Sequence, residues 1–80
     1  MSLIHVYHLR TMTFLLLYDL PRNSGYSRVK VSRELRRIGA KQFQQSVWEH
    51  MNFGELKRVA ALVKENGGKA IVLEKMVAYS

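Results

Sequence analysis

The sequence predicts a single α+β domain with the element order β-α-β-β-α-β. Three features of its 80 residues indicate this fold class. A strongly apolar, β-prone run comes first, two segments with the helical spacing of apolar residues follow it, and shorter strand-like segments lie between and after them. A chain of this length has room for one hydrophobic core and therefore forms one domain.

The first predicted element is a strand over residues 13–20. Successive side chains of a strand lie on opposite faces, so Phe14 and Leu16 share one face and Leu15 and Leu17 share the other. A strand that is apolar on both sides is central in its sheet and covered on both faces. A Pro-Arg-Asn-Ser-Gly loop then ends it.

The first helix is predicted over residues 26–38. Val31, Leu35 and Ile38 have the spacing of a single apolar stripe along a helix. Gly39 is well suited to the position directly after the last turn, because glycine adopts the left-handed conformation that ends many helices. Residues 40–50 then alternate in polarity and predict two short strands, joined at a bend or a tight hairpin.

The second helix has clearer start signals. Asn52 is the predicted N-cap, and Glu55, three residues later, completes a capping box. Met51 and Leu56 occupy the positions of a hydrophobic staple. An Asn-Gly-Gly sequence stops the helix, and residues 69–79 predict a last strand, long enough to bend and become two. The predicted buried stripe consists of Leu56, Val59, Ala60 and Val63.

The simplest packing of these elements is a ferredoxin-like sandwich, with four antiparallel strands and two helices on one face. This packing leaves Leu15 and Leu17 on a bare face, and contiguous apolar faces of several hundred Å² rarely stay in water. We therefore expect a homodimer in which a second copy covers the open sheet face across a two-fold axis. Because Met12 is an internal methionine, we expect residues 1–11 to be an N-terminal extension and residues 12–80 to form the ferredoxin-like domain.

Composition excludes several classes of protein. Cysteine is absent, which excludes a disulfide framework, a thiolate metal site and a cysteine nucleophile. The longest apolar run of the N-terminal segment is residues 14–18, much shorter than the ~20 residues of a transmembrane helix, and the N-terminus lacks a signal-peptide pattern. The chain also lacks the common nucleotide-binding, hydrolase and zinc-protease motifs. We expect a cytoplasmic protein with no membrane partner.

The net charge points to a polyanionic partner. Thirteen Lys and Arg against six Asp and Glu give +7, and seven of the thirteen lie between residues 22 and 41, with Glu34 as the only acid there. Such one-sided charge is typical of a surface that binds a phosphate backbone without sequence readout, although many charged helix faces are simply solvated. The candidate nucleic-acid-binding residues are Arg22, Arg28, Lys30, Arg33, Arg36, Arg37 and Lys41.

Asp19 is the acidic residue with the most informative position. It ends the apolar strand and precedes the loop, where an aspartate commonly accepts hydrogen bonds from backbone N–H groups of the turn. The alternative is a metal ligand. Asp19 shares a face with Leu15 and Leu17, so a two-fold axis through that face brings it opposite its symmetry mate. Two facing carboxylates either hold a divalent ion such as Mg²⁺ weakly between them or raise each other's pKa.

Short motifs of the chain resemble the CRISPR-associated protein Cas-two family. Tyr18-Asp19-Leu20 ends the first strand, and Arg28 and Lys30 open the helix. Residues 44–49 (Gln-Gln-Ser-Val-Trp-Glu) then fit the family pattern Gln-x-Ser-Val-aromatic-Glu, which is the more specific of these motifs. The resemblance extends over residues 12–80.

The resemblance implies a ferredoxin-like homodimer in which the C-terminal strand, here residues 76–80, pairs with the sheet of the partner subunit. It implies a role in CRISPR adaptation, in which the dimer binds duplex DNA and bridges copies of the CRISPR-associated integrase. Family members are also described as Mg²⁺-dependent endonucleases that act on RNA or double-stranded DNA. Asp19 matches the family position that holds the metal at the dimer interface, and it is therefore the candidate metal ligand and catalytic residue.

Two other functions are compatible with the same fold. One is a toxin-type endoribonuclease that resembles the virulence-associated protein D family. The other is a dimerisation module without catalysis. A CRISPR array and an integrase gene beside the coding sequence would favour the adaptation subunit or the endonuclease over these two.

Overall fold

The computed structural model describes the backbone of residues 9–77 and the side chains of residues 13–75. Its elements follow the predicted order. They are β1 (Leu9–Asp19), α1 (Gly25–Arg37), β2 (Lys41–Gln44), β3 (Val47–His50), α2 (Phe53–Glu65) and β4 (Lys69–Val77). The strands form one antiparallel sheet in the order β2-β3-β1-β4. The predicted α+β class is confirmed, and the architecture is compatible with a ferredoxin-like sandwich.

Strand β1 lies at the centre of the sheet. It pairs with β3 on one side and with β4 on the other, where the register runs from Leu9 opposite Val77 to Asp19 opposite Lys69. Leu16 is completely buried beneath the helices, whereas Leu15 and Leu17 lie on the other face and are only partly buried. The strand is thus apolar on both faces, as predicted, and the helices cover one of them.

The two ends of the described chain bear on two predictions. β1 begins at Leu9, so the last residues of the predicted extension 1–11 continue this strand, with an irregular register between Arg10 and Thr13. Residues 1–8 lie outside the described residues. Met76 and Val77, the first residues of the segment predicted to pair with a partner subunit, pair with β1 of their own chain. Residues 78–80 also lie outside the described residues.

The hydrophobic core fills the space between the helices and one face of the sheet. Trp48 on β3 is its largest side chain, and an aromatic residue of this size buries about 150–250 Å². Val31 and Leu35 on α1 are completely buried, and Gly39 follows the helix at a φ of 83°, as its predicted stop requires. The predicted stripe of α2 is confirmed. The buried core residues are Leu16, Leu20, Val31, Leu35, Trp48, Leu56, Val59, Ala60 and Val63.

The start of α2 forms only part of the predicted local structure. The Asn52 side chain accepts a hydrogen bond from the Glu55 N–H at 3.0 Å, so the N-cap is confirmed. The Asn52 N–H does not bond back to the Glu55 carboxylate but donates to His50 Nδ1 at 2.8 Å. The capping box is therefore half formed. Because Nδ1 accepts this bond, the neutral His50 ring carries its proton on Nε2, which donates to the Ile38 carbonyl at 2.6 Å.

The predicted hydrophobic staple at α2 is wrong. Met51 is 76% exposed, whereas Leu56 is completely buried, so the two side chains do not form the predicted pair. Phe53 instead lies against Phe14 of β1, with ring centroids 5.2 Å apart. This long-range aromatic contact orients the start of the helix without Met51, since two aromatic rings at this spacing attract each other in addition to burying area.

Gly68, directly before β4, provides a test of this packing. A Cβ at this position would collide with the backbone oxygen of Asp19 and would lie within 3 Å of the Val63 and Leu20 side chains. We predict that Gly68→Ala lowers the free energy of unfolding by about 1–3 kcal/mol, the usual cost of overpacking. Urea denaturation followed by circular dichroism measures this change.

Gly25 is the matched control for this substitution. A Cβ at Gly25, the first residue of α1, meets no atom within 4 Å. Gly25→Ala should therefore leave the stability unchanged or raise it slightly, because alanine reduces the entropy of the unfolded chain. Equal stability of the two variants would contradict the close contact between Gly68 and the backbone of Asp19.

Candidate nucleic-acid interface

The structure distributes the predicted basic residues over several surfaces. Lys30 and Arg33 lie on the outward side of α1. Arg28 and Arg36 line a cavity between α1 and the sheet. Arg22 is exposed in the loop between β1 and α1. The segment from residue 22 to residue 41 is therefore uniformly basic in sequence but not one continuous surface in space.

The outer face of α1, which we define as Tyr26, Val29, Lys30 and Arg33, combines two cations with two apolar groups. Tyr26 is 80% exposed and Val29 is 53% exposed. These residues, together with Gly25 and Glu34, border a depression of about 510 Å³. The first turn of α1 contains no acidic side chain. An exposed aromatic ring beside two cations suits a nucleic acid, which offers both phosphates and flat bases.

Glu34 forms an ion pair with Arg37, one of the predicted nucleic-acid-binding residues. Its carboxylate accepts from Arg37 Nη2 at 2.7 Å and from Arg58 Nη2 at 2.9 Å, which links α1 to α2. The hydrogen bonds from Arg37 and Arg58 lower the pKa of Glu34 from 4.5 to about 2. Arg37 therefore already has a carboxylate partner within the chain. It is a weaker candidate for a phosphate contact than its place in the sequence suggests.

The cavity between α1 and the sheet, which we call the α1–sheet cavity, has a volume of about 220 Å³ and a polar lining. Arg28 is fixed at its edge, because Nη2 donates to the carbonyls of Leu20 at 3.3 Å and Pro21 at 3.4 Å. The Tyr18 hydroxyl donates a long bond, at 3.4 Å, to the Gln45 carbonyl. The lining residues are Tyr18, Arg28, Val29, Ser32, Arg36, Gln42, Gln45 and Ser46.

The Tyr18 hydroxyl lies in a mixed environment. Burial raises the pKa of this phenol above its ordinary value, and the Trp48 indole N–H, Arg28 and Arg36 each oppose the rise. Trp48 Nε1 is itself buried and makes no hydrogen bond of good geometry with any described residue. Trp48 pairs in register with Gln42, so its side chain lies on the same face of the sheet as the cavity.

The open face of the sheet carries several apolar side chains beside the ion pair of Lys75 with Glu49. Ile71 is 54% exposed, and Phe43 on the edge strand β2 is half exposed, with Lys75 Nζ 4.9 Å from the centre of its ring. Lys41 lies on this face of β2, so it is separated from the basic residues of α1 by the thickness of the domain. The apolar side chains of the open face are Leu15, Leu17, Phe43, Val47, Ile71 and Leu73.

Asp19 lies at one end of the open face, exposed, and its register partner on β4 is Lys69. Between residues 9 and 77, His, Cys, Asp and Glu side chains do not form a group of three or more that could hold a metal. One carboxylate beside a lysine does not fit a divalent cation, which requires several oxygen ligands. The Mg²⁺ site that we predicted between two copies of Asp19 needs a second chain and stays a prediction.

Five polar residues of the α1–sheet cavity are not among the predicted site residues. They are Tyr18, Ser32, Gln42, Gln45 and Ser46. These residues belong to β1, α1, β2 and the turn after β2, and no sequence spacing shows that they meet. The sequence contains one signal for them: Tyr18, Gln45 and Ser46 lie in the motifs on which the family resemblance rests.

Comparisons with known proteins do not extend these observations. No model of a known protein family matches the chain, and no curated protein matches it with significance. Neither described helix has the length and hydropathy needed to cross a membrane. The resemblance to the Cas-two family therefore stays a prediction that rests on the sequence motifs.

The ion pairs of Glu34 predict how stability depends on pH. A carboxylate whose pKa is lowered in the folded state stabilises that state above the pKa of the unfolded chain, and this contribution disappears as the pH falls. We predict that wild-type protein loses stability as the pH falls from 4.5 toward 2, and that Glu34→Gln shows a flatter profile and lower stability at neutral pH. Thermal denaturation at low salt measures both.

Glu65→Gln is the control for this pH profile. Glu65 is exposed at the end of α2 and forms no ion pair with the residues that the structure describes. This variant should retain the acid sensitivity of the wild type. If Glu34→Gln and the wild type lost stability along the same curve, the proposed link between α1 and α2 would be unsupported.

Proposed function

We propose that this protein binds duplex nucleic acid as a homodimer, with the basic residues of α1 on the phosphate backbone. One observation carries the proposal: three cations of α1 are not neutralised by an ion pair. Lys30, Arg33 and Arg36 form no ion pair within the described part of the chain. Glu34, the only acidic residue of α1, is already held by Arg37 and Arg58. This side of the helix therefore retains its positive charge.

A phosphate backbone is the ligand that this charge fits best. Each lysine or arginine that neutralises a phosphate releases condensed counterions, which favours binding and makes the affinity depend strongly on salt. Contacts to phosphates carry no base information, so we expect binding that is independent of sequence. In a two-fold dimer the two copies of α1 supply two such surfaces, which suits a ligand as extended as a duplex.

The open sheet face supports the homodimer. Contiguous apolar surfaces larger than a few hundred Å² usually mark an interface. Two-fold dimers are the commonest oligomers and bring the same patch of both subunits together. Leu17 and Ile71 are register partners on this face, and the proposed contact includes both. The helices lie on the opposite face, so this contact leaves α1 accessible.

The wider role that we propose is that of the CRISPR adaptation subunit, which binds duplex DNA and bridges the CRISPR-associated integrase. The motifs around Tyr18-Asp19 and residues 44–49 support it, together with an element order compatible with the family fold. The edge strand β2 also supports it, because all four of its residues are exposed and an edge can accept a strand from a partner.

Nuclease activity is a weaker candidate on this geometry. It depends on Mg²⁺ held by Asp19, and the described part of one chain supplies a single carboxylate there, with Lys69 opposite. The toxin-type ribonuclease and the non-catalytic dimerisation module share the fold, and no contact of the described residues favours them over the duplex-binding subunit.

Charge reversal on α1 tests the proposed function. We predict that Arg33→Glu/Arg36→Glu weakens binding to a fluorescent duplex by at least about a hundredfold at low salt, because it replaces phosphate contacts by repulsion. The slope of the logarithm of affinity against the logarithm of salt concentration should also fall by about 0.9 for each lost phosphate contact. Fluorescence anisotropy over a series of salt concentrations measures both quantities.

Lys57→Glu/Lys64→Glu is the matched control, because it makes the same change in net charge on exposed residues of α2. It should retain most of the affinity. Equal loss in both double variants would show that total charge, rather than α1, determines binding. Unchanged binding by Arg33→Glu/Arg36→Glu would refute the proposal. Circular dichroism confirms that each variant is folded.

A further inference from the structure

We propose that the α1–sheet cavity is a binding site for a single phosphate group. Among its eight lining residues are two arginines, three hydroxyl groups and two amides, and none of the eight is acidic. All seven polar side chains can donate hydrogen bonds, and the guanidinium groups add positive charge. A pocket with many donors and no carboxylate selects an oxyanion over a cation or an apolar ligand.

The two arginines have complementary roles in this site. Arg28 is held by the carbonyls of Leu20 and Pro21, which use one of its terminal nitrogens and leave other N–H groups for a ligand. Arg36 donates no hydrogen bond to a described residue and is exposed at the rim. A fixed guanidinium and a movable one can together contact two or more oxygens of a phosphate, the geometry at which arginine is strongest.

The Tyr18 hydroxyl connects the cavity to an unsatisfied group in the core. Its present bond to the Gln45 carbonyl is at the long limit, 3.4 Å, so little is lost if the hydroxyl turns to donate to an oxyanion. Trp48 is the register partner of the cavity residue Gln42, and its buried indole Nε1 has no hydrogen-bond partner in the described structure. A buried N–H of this kind is unusual and costs free energy.

The backbone holds the remaining donors at the cavity. The Tyr18 N–H donates to the Ser46 carbonyl at 3.1 Å, which fixes the turn after β2 against the end of β1. The Ser32 hydroxyl donates to the Val29 carbonyl one turn earlier at 3.2 Å, and it can rotate toward a ligand. The cavity is open to solvent, and its volume of about 220 Å³ is many times the ~10–15 Å³ that a single water requires.

The phosphate can come from three sources that share this chemistry: the backbone of a nucleic acid, the terminal phosphate of a strand, or free inorganic phosphate. If the protein binds a duplex as proposed above, the cavity holds one phosphate of that duplex. The inference itself rests on the cavity alone. It is therefore tested with inorganic phosphate, so that this site and duplex binding can fail independently.

The single tryptophan makes the test direct, because its indole N–H gives one resolved nuclear magnetic resonance signal. We expect phosphate, titrated at constant ionic strength, to shift the Trp48 indole signal along a saturable curve that chloride does not reproduce. Arg36→Gln should weaken phosphate binding about tenfold, the effect of losing one charge-assisted contact. Tyr18→Phe should abolish the shift of the indole signal and keep the ring in the core.

Two matched controls separate this site from general electrostatics. Lys57→Gln and Lys64→Gln each remove one positive charge from an exposed residue of α2, outside the cavity. Both should bind phosphate within about twofold of the wild type, since neither loses a direct contact. A linear shift equal to that with chloride, or an equal loss in Lys57→Gln and Arg36→Gln, would overturn the proposal.

Oligonucleotides then identify the source. If 5′-phosphorylated strands move the indole signal more than 5′-hydroxyl strands, the site takes a terminal phosphate. If both move it equally, the site takes a backbone phosphate. If only inorganic phosphate moves it, the ligand is the free ion. If the wild-type protein bound a duplex but not inorganic phosphate, this site would be contradicted and the proposed function would stand. If it bound inorganic phosphate but not a duplex, the site would stand and the proposed function would be contradicted.

Discussion

The central strand β1 carries apolar side chains on both faces, and the two helices of this chain cover only one of them. Leu16 is buried completely on the covered face, and full burial of such a side chain stabilises a fold by roughly 1.5–3 kcal/mol. Leu15 and Leu17 on the other face lack this gain. β1 is paired with β3 on one edge and with β4 on the other. It therefore cannot turn Leu15 and Leu17 toward the core without breaking these pairings. The fold of one chain is thus left with an apolar surface to cover.

The basic surface lies on the other side of the domain from this apolar face. α1 packs over the core through Val31 and Leu35, and Lys30 and Arg33 lie on its outward side. The Glu34 carboxylate pairs with Arg37 and Arg58, so it does not neutralise Arg33. The positive charge of this surface is therefore left uncompensated. The two surfaces can therefore act together: the proposed second copy covers the sheet, and both copies of α1 remain free for a phosphate backbone.

Local sequence patterns predicted what local contacts determine. The buried stripe of α2 and the Asn52 cap follow from the spacing of a few neighbouring residues, and the structure confirms both. Predictions failed where distant parts of the chain meet. Phe14 packs on Phe53 and makes the staple with Met51 unnecessary, and strand pairing separates Lys41 from the α1 cations. The α1–sheet cavity likewise exists only because tertiary structure joins four elements, which no spacing in the sequence reveals.

The mass of the protein in solution tests the central claim, that a second copy covers the open sheet face. Sedimentation equilibrium should give twice the chain mass of 9.3 kDa for the wild type and 9.3 kDa for Ile71→Glu. Val29→Glu should remain a dimer, since Val29 is as exposed as Ile71, at 53% against 54%, but lies on α1. A wild-type mass of 9.3 kDa, or a dimer that survives Ile71→Glu, would contradict the account.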